Sequence, residues 1–300
     1  IEPMADISLN GIFPPIPTPF DGPAVAYDHL AANVKRWCDT GIAGFVVLGS
    51  NGEYPLLDTQ EKLKTVETVA GHSRAGMPVI AGTGCESTAE TIALTRACAQ
   101  RGASAALVVT PHYYGGRMTA AALAAHYTQI ADEAPIPVIL YNVPKFTHIN
   151  MMPETVGHLA EHPNIIGIKD SSGNVSQLGE YLNHSGGAAF TVMVGTAGAL
   201  LGAAVLGCPG AVLAMANLTA QACVAIMQQV EAGNIASAAA LQRRMLPVNK
   251  AVTATYGIAG LKAALEVLGY HGGAPRPPLM PVNEKERDQI EQILKTAQLL

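Results

Sequence analysis

The stretch Asn164-Ile165-Ile166-Gly167-Ile168-Lys169-Asp170-Ser171-Ser172-Gly173 decides the reading of this chain. Its apolar run is strand-like in length and composition, and the turn after it opens at the lysine. A lysine in that place ends a buried element instead of decorating a surface. Burial disfavours the charged form of an amine, which makes this side chain a candidate nucleophile. The bland alternative is a Lys169–Asp170 surface pair that finishes a strand.

Outward from this stretch the chain alternates short apolar runs with amphipathic or Ala-rich segments. The expected strands are 11–17, 44–49, 78–82, 105–110, 137–142, 165–169, 190–195 and 210–213. Helices are expected at about 28–40, 58–71, 87–101, 119–133, 153–161, 174–184, 196–206 and 217–231. Asp28, Asp58, Ser87 and Thr119 read as N-caps. Gly41, Gly71 and Gly102 read as helix ends. Eight βα units whose strands are apolar on both faces predict a parallel sheet covered by helices, and this length favours a closed (β/α)8 TIM barrel. An open doubly wound sheet is the alternative. The first βα turn, Pro17-Thr18-Pro19-Phe20-Asp21-Gly22, lacks the glycine pattern of a dinucleotide site and speaks against it. The barrel with its active site is assigned to residues 8–232. Residues 233–300 are read as helices packed on it, at 234–246, 248–268 and 283–297, with 272–278 as a linker.

Composition narrows the function. Of 300 residues, 49% are hydrophobic and 14% charged, which implies a large core and some apolar surface buried between subunits. A net charge of −5 and no run of more than two basic residues argue against nucleic acid and an anionic membrane surface. The five cysteines, Cys38, Cys85, Cys98, Cys208 and Cys223, are scattered with no C-x-x-C pair. That usage reads as reduced core thiols in a cytoplasmic protein. No membrane span or signal peptide is visible. Ile1-Glu2-Pro3 is set aside as a segment ahead of Met4, the expected start.

In a barrel, chemistry sits where the strands end. The expected ends carry Gly49-Ser50-Asn51-Gly52-Glu53, Gly82-Thr83-Gly84, Thr110-Pro111-His112-Tyr113-Tyr114, Tyr141-Asn142-Val143-Pro144, Lys169 and Gly195-Thr196-Ala197-Gly198. Polar and aromatic residues thus gather at one rim above apolar strands. Alternation places Tyr141 with Ile139 and Lys169 with Gly167 and Ile165, so that a small residue below the lysine leaves room for its stem. The Gly49–Gly52 turn offers backbone N–H groups and a hydroxyl suited to a carboxylate; an ordinary Asn-Gly turn is the plain alternative.

Three of these motifs, Gly49-Ser50-Asn51-Gly52-Glu53, Tyr141-Asn142-Val143-Pro144 and Ile168-Lys169-Asp170-Ser171, occur in the order and spacing of a known family. Together they resemble the dihydrodipicolinate synthase / N-acetylneuraminate lyase family of pyruvate-dependent class I aldolases, over almost the whole chain. Three further stretches are most similar to 4-hydroxy-2-oxoglutarate aldolase within it. These are Ala81-Gly82-Thr83-Gly84-Cys85-Glu86-Ser87-Thr88, the run from Val109 to Met118, and Ala251-Val252-Thr253 with Tyr256 to Lys262.

The resemblance implies roles. Lys169 would form a Schiff base with a 2-oxo acid, and Tyr141 would shuttle protons. Ser50 and Tyr113, the latter from a neighbouring subunit, would complete a relay. Ser50 and Asn51 would hold the pyruvyl carboxylate. Gly195 and Val212 would line the pocket, and Ser171 would meet the aldehyde portion. The resemblance also implies no metal or nucleotide cofactor and a homotetramer built as a dimer of dimers. One departure stands out. Members that condense aspartate semialdehyde carry an arginine two residues after Tyr-Asn-Val-Pro, where this chain has Phe146, and Thr147-His148 replaces Thr-Gly. The expected reaction is cleavage of 4-hydroxy-2-oxoglutarate to pyruvate and glyoxylate, with Arg117 and His148 as candidates for the distal carboxylate. Competing readings are a 2-oxo-3-deoxy sugar acid aldolase or dehydratase using the same imine, a dihydrodipicolinate synthase-like condensation, and a metal-dependent class II aldolase. A binding or regulatory protein on a retained barrel is the non-enzymatic alternative.

Overall fold

The computed structural model describes residues 7–186 and 189–300. The segment Ile1-Glu2-Pro3 and Met4 lie outside the described residues. Eight parallel strands form one sheet: β1 (Gly11–Phe13), β2 (Phe45–Val47), β3 (Val79–Gly82), β4 (Ala105–Val109), β5 (Val138–Asn142), β6 (Ile165–Asp170), β7 (Thr191–Val194) and β8 (Gly210–Val212). Each strand pairs with its sequence neighbour from β2 to β8, and β8 pairs with β1, Gly11 standing beside Gly210. The seam between β1 and β2 closes beyond the end of β1. There Ile16 N–H donates to Val46 O at 2.9 Å and Val46 N–H donates to Pro14 O at 3.1 Å. The expected first strand at 11–17 is shorter because Pro14 and Pro15 supply no N–H to a ladder. The arrangement is the (β/α)8 barrel expected, and not an open doubly wound sheet.

Helices follow the strands: α1 (Tyr27–Trp37), α2 (Thr59–His72), α3 (Thr88–Ala99), α4 (Ala120–Glu133), α5 (Pro153–Ala160), α6 (Val175–His184), α7 (Leu200–Val205) and α8 (Ala216–Glu231). Asp58, Ser87 and Thr119 cap α2, α3 and α4 by accepting from the N–H three residues on. Asp28 instead lies inside the first turn of α1, and Gly71 lies inside α2. Three further helices follow, α9 (Ile235–Lys250), α10 (Gly257–Val267) and α11 (Glu284–Thr296). The expected break near Pro247 is absent. Proline lacks an N–H and crowds the carbonyl four residues back, yet α9 runs through Pro247 to Lys250 before widening into a π turn at Ala251–Thr255. The chain breaks at Gly257, whose φ of 56° is a left-handed conformation that suits glycine. Gln242 of α9 donates to Ala197 O at 2.6 Å, and Arg36 of α1 donates to Gly269 O and lies over the Tyr270 ring.

The core has two layers. Phe13, Val46, Ile80, Leu107, Ile139, Met193 and Val212 fill the barrel interior. Alternate residues such as Val47, Val108, Leu140 and Ile168 pack outward against the helices. Alternation slips once. Register shifts between Val138↔Ile165 and Ile139↔Gly167, which leaves Ile166 as an extra residue, a β-bulge. Ile165 therefore packs with the outer layer and does not share the face of Lys169. Gly167 is small for another reason than room for a lysine stem: a Cβ there would meet Thr191 O at 2.5 Å and Leu9 at 3.1 Å.

Two stability predictions follow from this packing. A Cβ at Gly82 would overlap the Leu48 carbonyl, backbone that cannot move aside. Gly82→Ala should cost about 3 kcal/mol in a urea titration. His126 of α4 is buried, with its ring nitrogen 2.9 Å from the Thr88 hydroxyl of α3, and burial pushes its imidazole down to about 4 from 6.5. The unfolded chain takes up a proton between these values that the folded chain refuses. Stability should therefore fall as pH drops from 6.5 towards 4, by on the order of 2–3 kcal/mol. His126→Gln should flatten that slope when unfolding is followed across the same pH range.

Candidate active site

The parallel ladder between β5 and β6 sets Tyr141 beside Lys169, both pointing inward, and sets Asn142 beside Asp170, both pointing outward. Lys169 is 3% exposed, and its Nζ stands 3.9 Å from the centroid of the Tyr141 ring. The surface-pair alternative for Lys169 and Asp170 fails on this geometry, since both are buried and they face opposite sides of the strand. Tyr141 Oη lies 3.4 Å from Ser50 Oγ. Burial opposes ionisation of the Tyr141 phenol. The Lys169 charge and hydrogen bonds from Ser50, Lys169 and Ser171 outweigh it, so the phenol ends below its ordinary value. An amine, a phenol held below its ordinary value and a serine hydroxyl thus form one contiguous group.

Ser50 stands on a turn built for close approach. Ser50–Gly52 is a single 3-10 turn, bracketed by two non-glycine residues in left-handed conformation, Leu48 (φ 57°) and Glu53 (φ 55°). Thr18 Oγ1 donates to Gly52 O at 2.8 Å and fixes the turn to the loop after β1. Asn51 turns its side chain away, donating to Pro15 O at 3.3 Å, so only its backbone is free to serve a ligand. Ser171 N–H donates to Asn142 O at 2.8 Å, and its hydroxyl reaches Gly195 O at 3.4 Å. A Cβ at Gly195 would overlap that hydroxyl, which explains glycine there. Val212 lies deeper, fully buried in the barrel interior.

Tyr113 is not brought to this group within one chain. It is 77% exposed and packs edge-to-face on Tyr114. Its loop is held by Glu86, which accepts from the N–H groups of His112 and Tyr113 at 3.0 and 2.9 Å and pairs with His112 Nδ1 at 2.9 Å. Beside Tyr141 opens a cavity of about 550 Å³. Ser50, Tyr54, Cys85, Val109, Tyr141 and Phe146 are part of its wall, with Ile258, Pro278 and Leu279 from the C-terminal segment. Burial, with Tyr141, Cys85 and Glu86 nearby, pushes the Tyr54 phenol up to about 12. Arg117 and His148, the candidates for a distal carboxylate, are exposed and take no part in this wall. Lys62 of α2 is also part of this wall.

Two polar assemblies escaped the sequence reading. On the outer face, Asp170 Oδ1 accepts from Asn142 at 2.7 Å and from Gln177 at 3.2 Å, and Oδ2 accepts from Ser172 at 2.6 Å. Tyr181 joins by accepting from Gln177 at 2.8 Å and donating to Met151 O at 2.6 Å. Burial raises the Asp170 carboxyl against the pull of these donors. The network locks the ends of β5 and β6, and the alternation of strand faces was its available signal. The second assembly joins Glu53 and Lys262, both fully buried. Both residues stand inside motifs already quoted, yet nothing local to either points to the other.

Among the described residues no group of three or more potential metal ligands comes together. His158 and His162 are spaced four apart on and just after α5, but His158 turns to Glu161 and His162 to Asp132. Among the described residues no helix is long and apolar enough to cross a membrane.

Known proteins bear on this geometry. Residues 8–297 match the dihydrodipicolinate synthetase family. A 4-hydroxy-tetrahydrodipicolinate synthase of Methanothrix thermoacetophila is 36% identical over 287 residues, covering 95% of this chain and 96% of that protein. The chloride-inhibited dihydrodipicolinate synthase of Acinetobacter baumannii, solved with pyruvate, superposes with a TM-score of 0.92 at 30% identity, covering 98% of this chain and all of that one. A prophage protein of E. coli K12 from the dihydrodipicolinic acid synthase family, also solved with pyruvate, gives 0.91 at 30% identity over 97% and 99% of the two chains. None of these names is that of a 4-hydroxy-2-oxoglutarate aldolase. With its barrel, its rim and its full-length kinship, the chain belongs to the dihydrodipicolinate synthetase family, whose members are aldolase-type enzymes that use pyruvate.

Proposed function

We propose that this chain is a Schiff-base class I aldolase that cleaves or forms a 4-hydroxy-2-oxo acid through Lys169, with 4-hydroxy-2-oxoglutarate as the preferred substrate. The observation that carries the chemistry is the Lys169 amine held 3.9 Å from the Tyr141 ring, with Ser50 on the phenol. Pyruvate bound to two of the solved relatives supports a 2-oxo acid as the reacting partner.

The neutral Lys169 amine adds to C2 of the 2-oxo acid, and loss of water leaves a protonated imine. That imine accepts the electron pair when the C3–C4 bond breaks, giving an enamine, while the C4 hydroxyl loses its proton and departs as an aldehyde. Protonation of the enamine at C3 and hydrolysis release pyruvate and restore the amine. Tyr141 is the proton carrier, and Ser50 stabilises its ionised form by donating a hydrogen bond. Tyr113 of a neighbouring subunit is assigned the third place in the relay, in a homotetramer. The Ser50–Asn51 backbone takes the substrate carboxylate, with Gly195 and Val212 flanking the imine and Ser171 on the aldehyde side. No metal is needed, because the imine itself is the electron sink.

The substrate preference rests on Phe146, which lines the cavity at the position where aspartate-semialdehyde condensers are expected to carry arginine. The names of the relatives favour a second reading, condensation of pyruvate with aspartate semialdehyde. Pyruvate release from 4-hydroxy-2-oxoglutarate, measured beside consumption of aspartate semialdehyde, separates the two. Faster turnover in the second assay overturns the preference.

Borohydride with pyruvate should attach a stable adduct to Lys169, and Lys169→Ala should abolish both adduct and turnover. An adduct mapped by mass spectrometry to another lysine refutes the assignment. Ser50→Ala removes a donor to the ionised phenol, so Tyr141 should ionise at higher pH. The acidic limb of the kcat profile should move upward in pH, with kcat down about 10–10²-fold.

A further inference from the structure

Glu53 closes the Ser50 turn, and its side chain runs inward to Lys262 of α10. Lys262 also donates to Ala274 O at 3.1 Å and stands 4.3 Å from the centre of the Phe20 ring. The segment after α10 doubles back over this pair. Gly272 passes so close to Lys262 that a Cβ would overlap its backbone, and the N–H groups of Gly272 and Gly273 donate to Glu266 at 2.8 and 2.9 Å. Arg276 then donates its own N–H to Glu53 Oε2 at 2.8 Å. Its guanidinium grips both oxygens of Glu61 at 2.6 and 2.7 Å and reaches Leu56 O at 2.7 Å. Both ends of the loop 53–61 are therefore fastened by one strap, and the next residues of that strap, Pro278 and Leu279, face the cavity.

We propose that this strap, through Lys262 on Glu53 and Arg276 on Glu61, is the positioning element for the Ser50–Asn51 turn and so governs capture of the 2-oxo acid. The proposal rests on the aldolase reading above. A left-handed Glu53 keeps its conformation only while the surroundings over-determine it. The buried carboxylate is compensated by one cation and one N–H, so the turn has a single favourable place. Neither Lys262 nor Arg276 touches Tyr141 or Lys169; they act through the turn. A carboxylate held by backbone N–H groups depends on where those groups stand, and a misplacement of about 1 Å from a remote change can cost about 10²-fold.

The test uses the full chain and the concentration of pyruvate that half-saturates borohydride trapping. The double variant E53Q/K262M removes both buried charges together, which avoids stranding one. Arg276→Gln loosens the other end without burying a charge. Each is expected to unfold cooperatively in urea yet to need about tenfold more pyruvate for half-saturation. A merely structural strap moves the urea midpoint and leaves half-saturation alone. The inference is overturned if the variants trap pyruvate within twofold of the parent concentration. If the double variant does not fold, Arg276→Gln alone decides. Failure of the parent protein to be trapped at all sinks the aldolase reading, whereas equal trapping by parent and variants sinks only the strap.

Discussion

The register of one parallel ladder governs this site. When β5 and β6 pair with Tyr141 beside Lys169, the next pair must be Asn142 beside Asp170, on the other face. The inward pair is the one proposed to react, and the outward pair ties the two strands together. A slip of one residue would exchange them, placing an amine among helices and a carboxylate in the barrel mouth. The bulge at Ile166 lies just below and shifts register before the reactive pair. The Asn142–Asp170–Gln177 network lies beside it and fastens the same two strands. The chemistry of the mouth is thus held in place by polar groups that no substrate would touch.

Charge is sparse in this chain, and several charges that matter are buried. Lys169, Asp170, Glu53 and Lys262 are each at most 3% exposed. Three of them are satisfied by fixed partners: Asp170 by amides and a hydroxyl, and Glu53 and Lys262 by each other. Lys169 has the face of an aromatic ring. This contrast sets Lys169 apart from the three charges used as structural ties.

The barrel was legible because eight apolar runs alternate with capped helices, and Asp58, Ser87 and Thr119 act as their sequence context implies. That Tyr141 stands beside Lys169 was implied by the family resemblance, and the ladder between β5 and β6 brings the two together. Errors arose where spacing alone misleads. Ile165 changes face because a bulge adds a residue without a local mark in the sequence. Pro247 does not stop α9, because a helix can lose one hydrogen bond where its neighbours hold it. Arg117 and His148 lie near rim motifs along the chain, yet both are exposed to solvent. Glu53 and Lys262 are distant in sequence, so their meeting is decided by how the C-terminal helices return to the barrel, which periodicity does not encode.

That return has a consequence for the order in which the molecule matures. At roughly 5–20 residues per second, a ribosome delivers Lys262 about 10–40 s after Glu53. Until then the carboxylate has no cation and stays hydrated, and the turn that carries Ser50 has only its ties to Thr18 and Pro15. Strand pairing can proceed in that interval, since it draws on neighbours already made. The turn beside Ser50 therefore gains its last ties late in synthesis, well after Lys169 has been made.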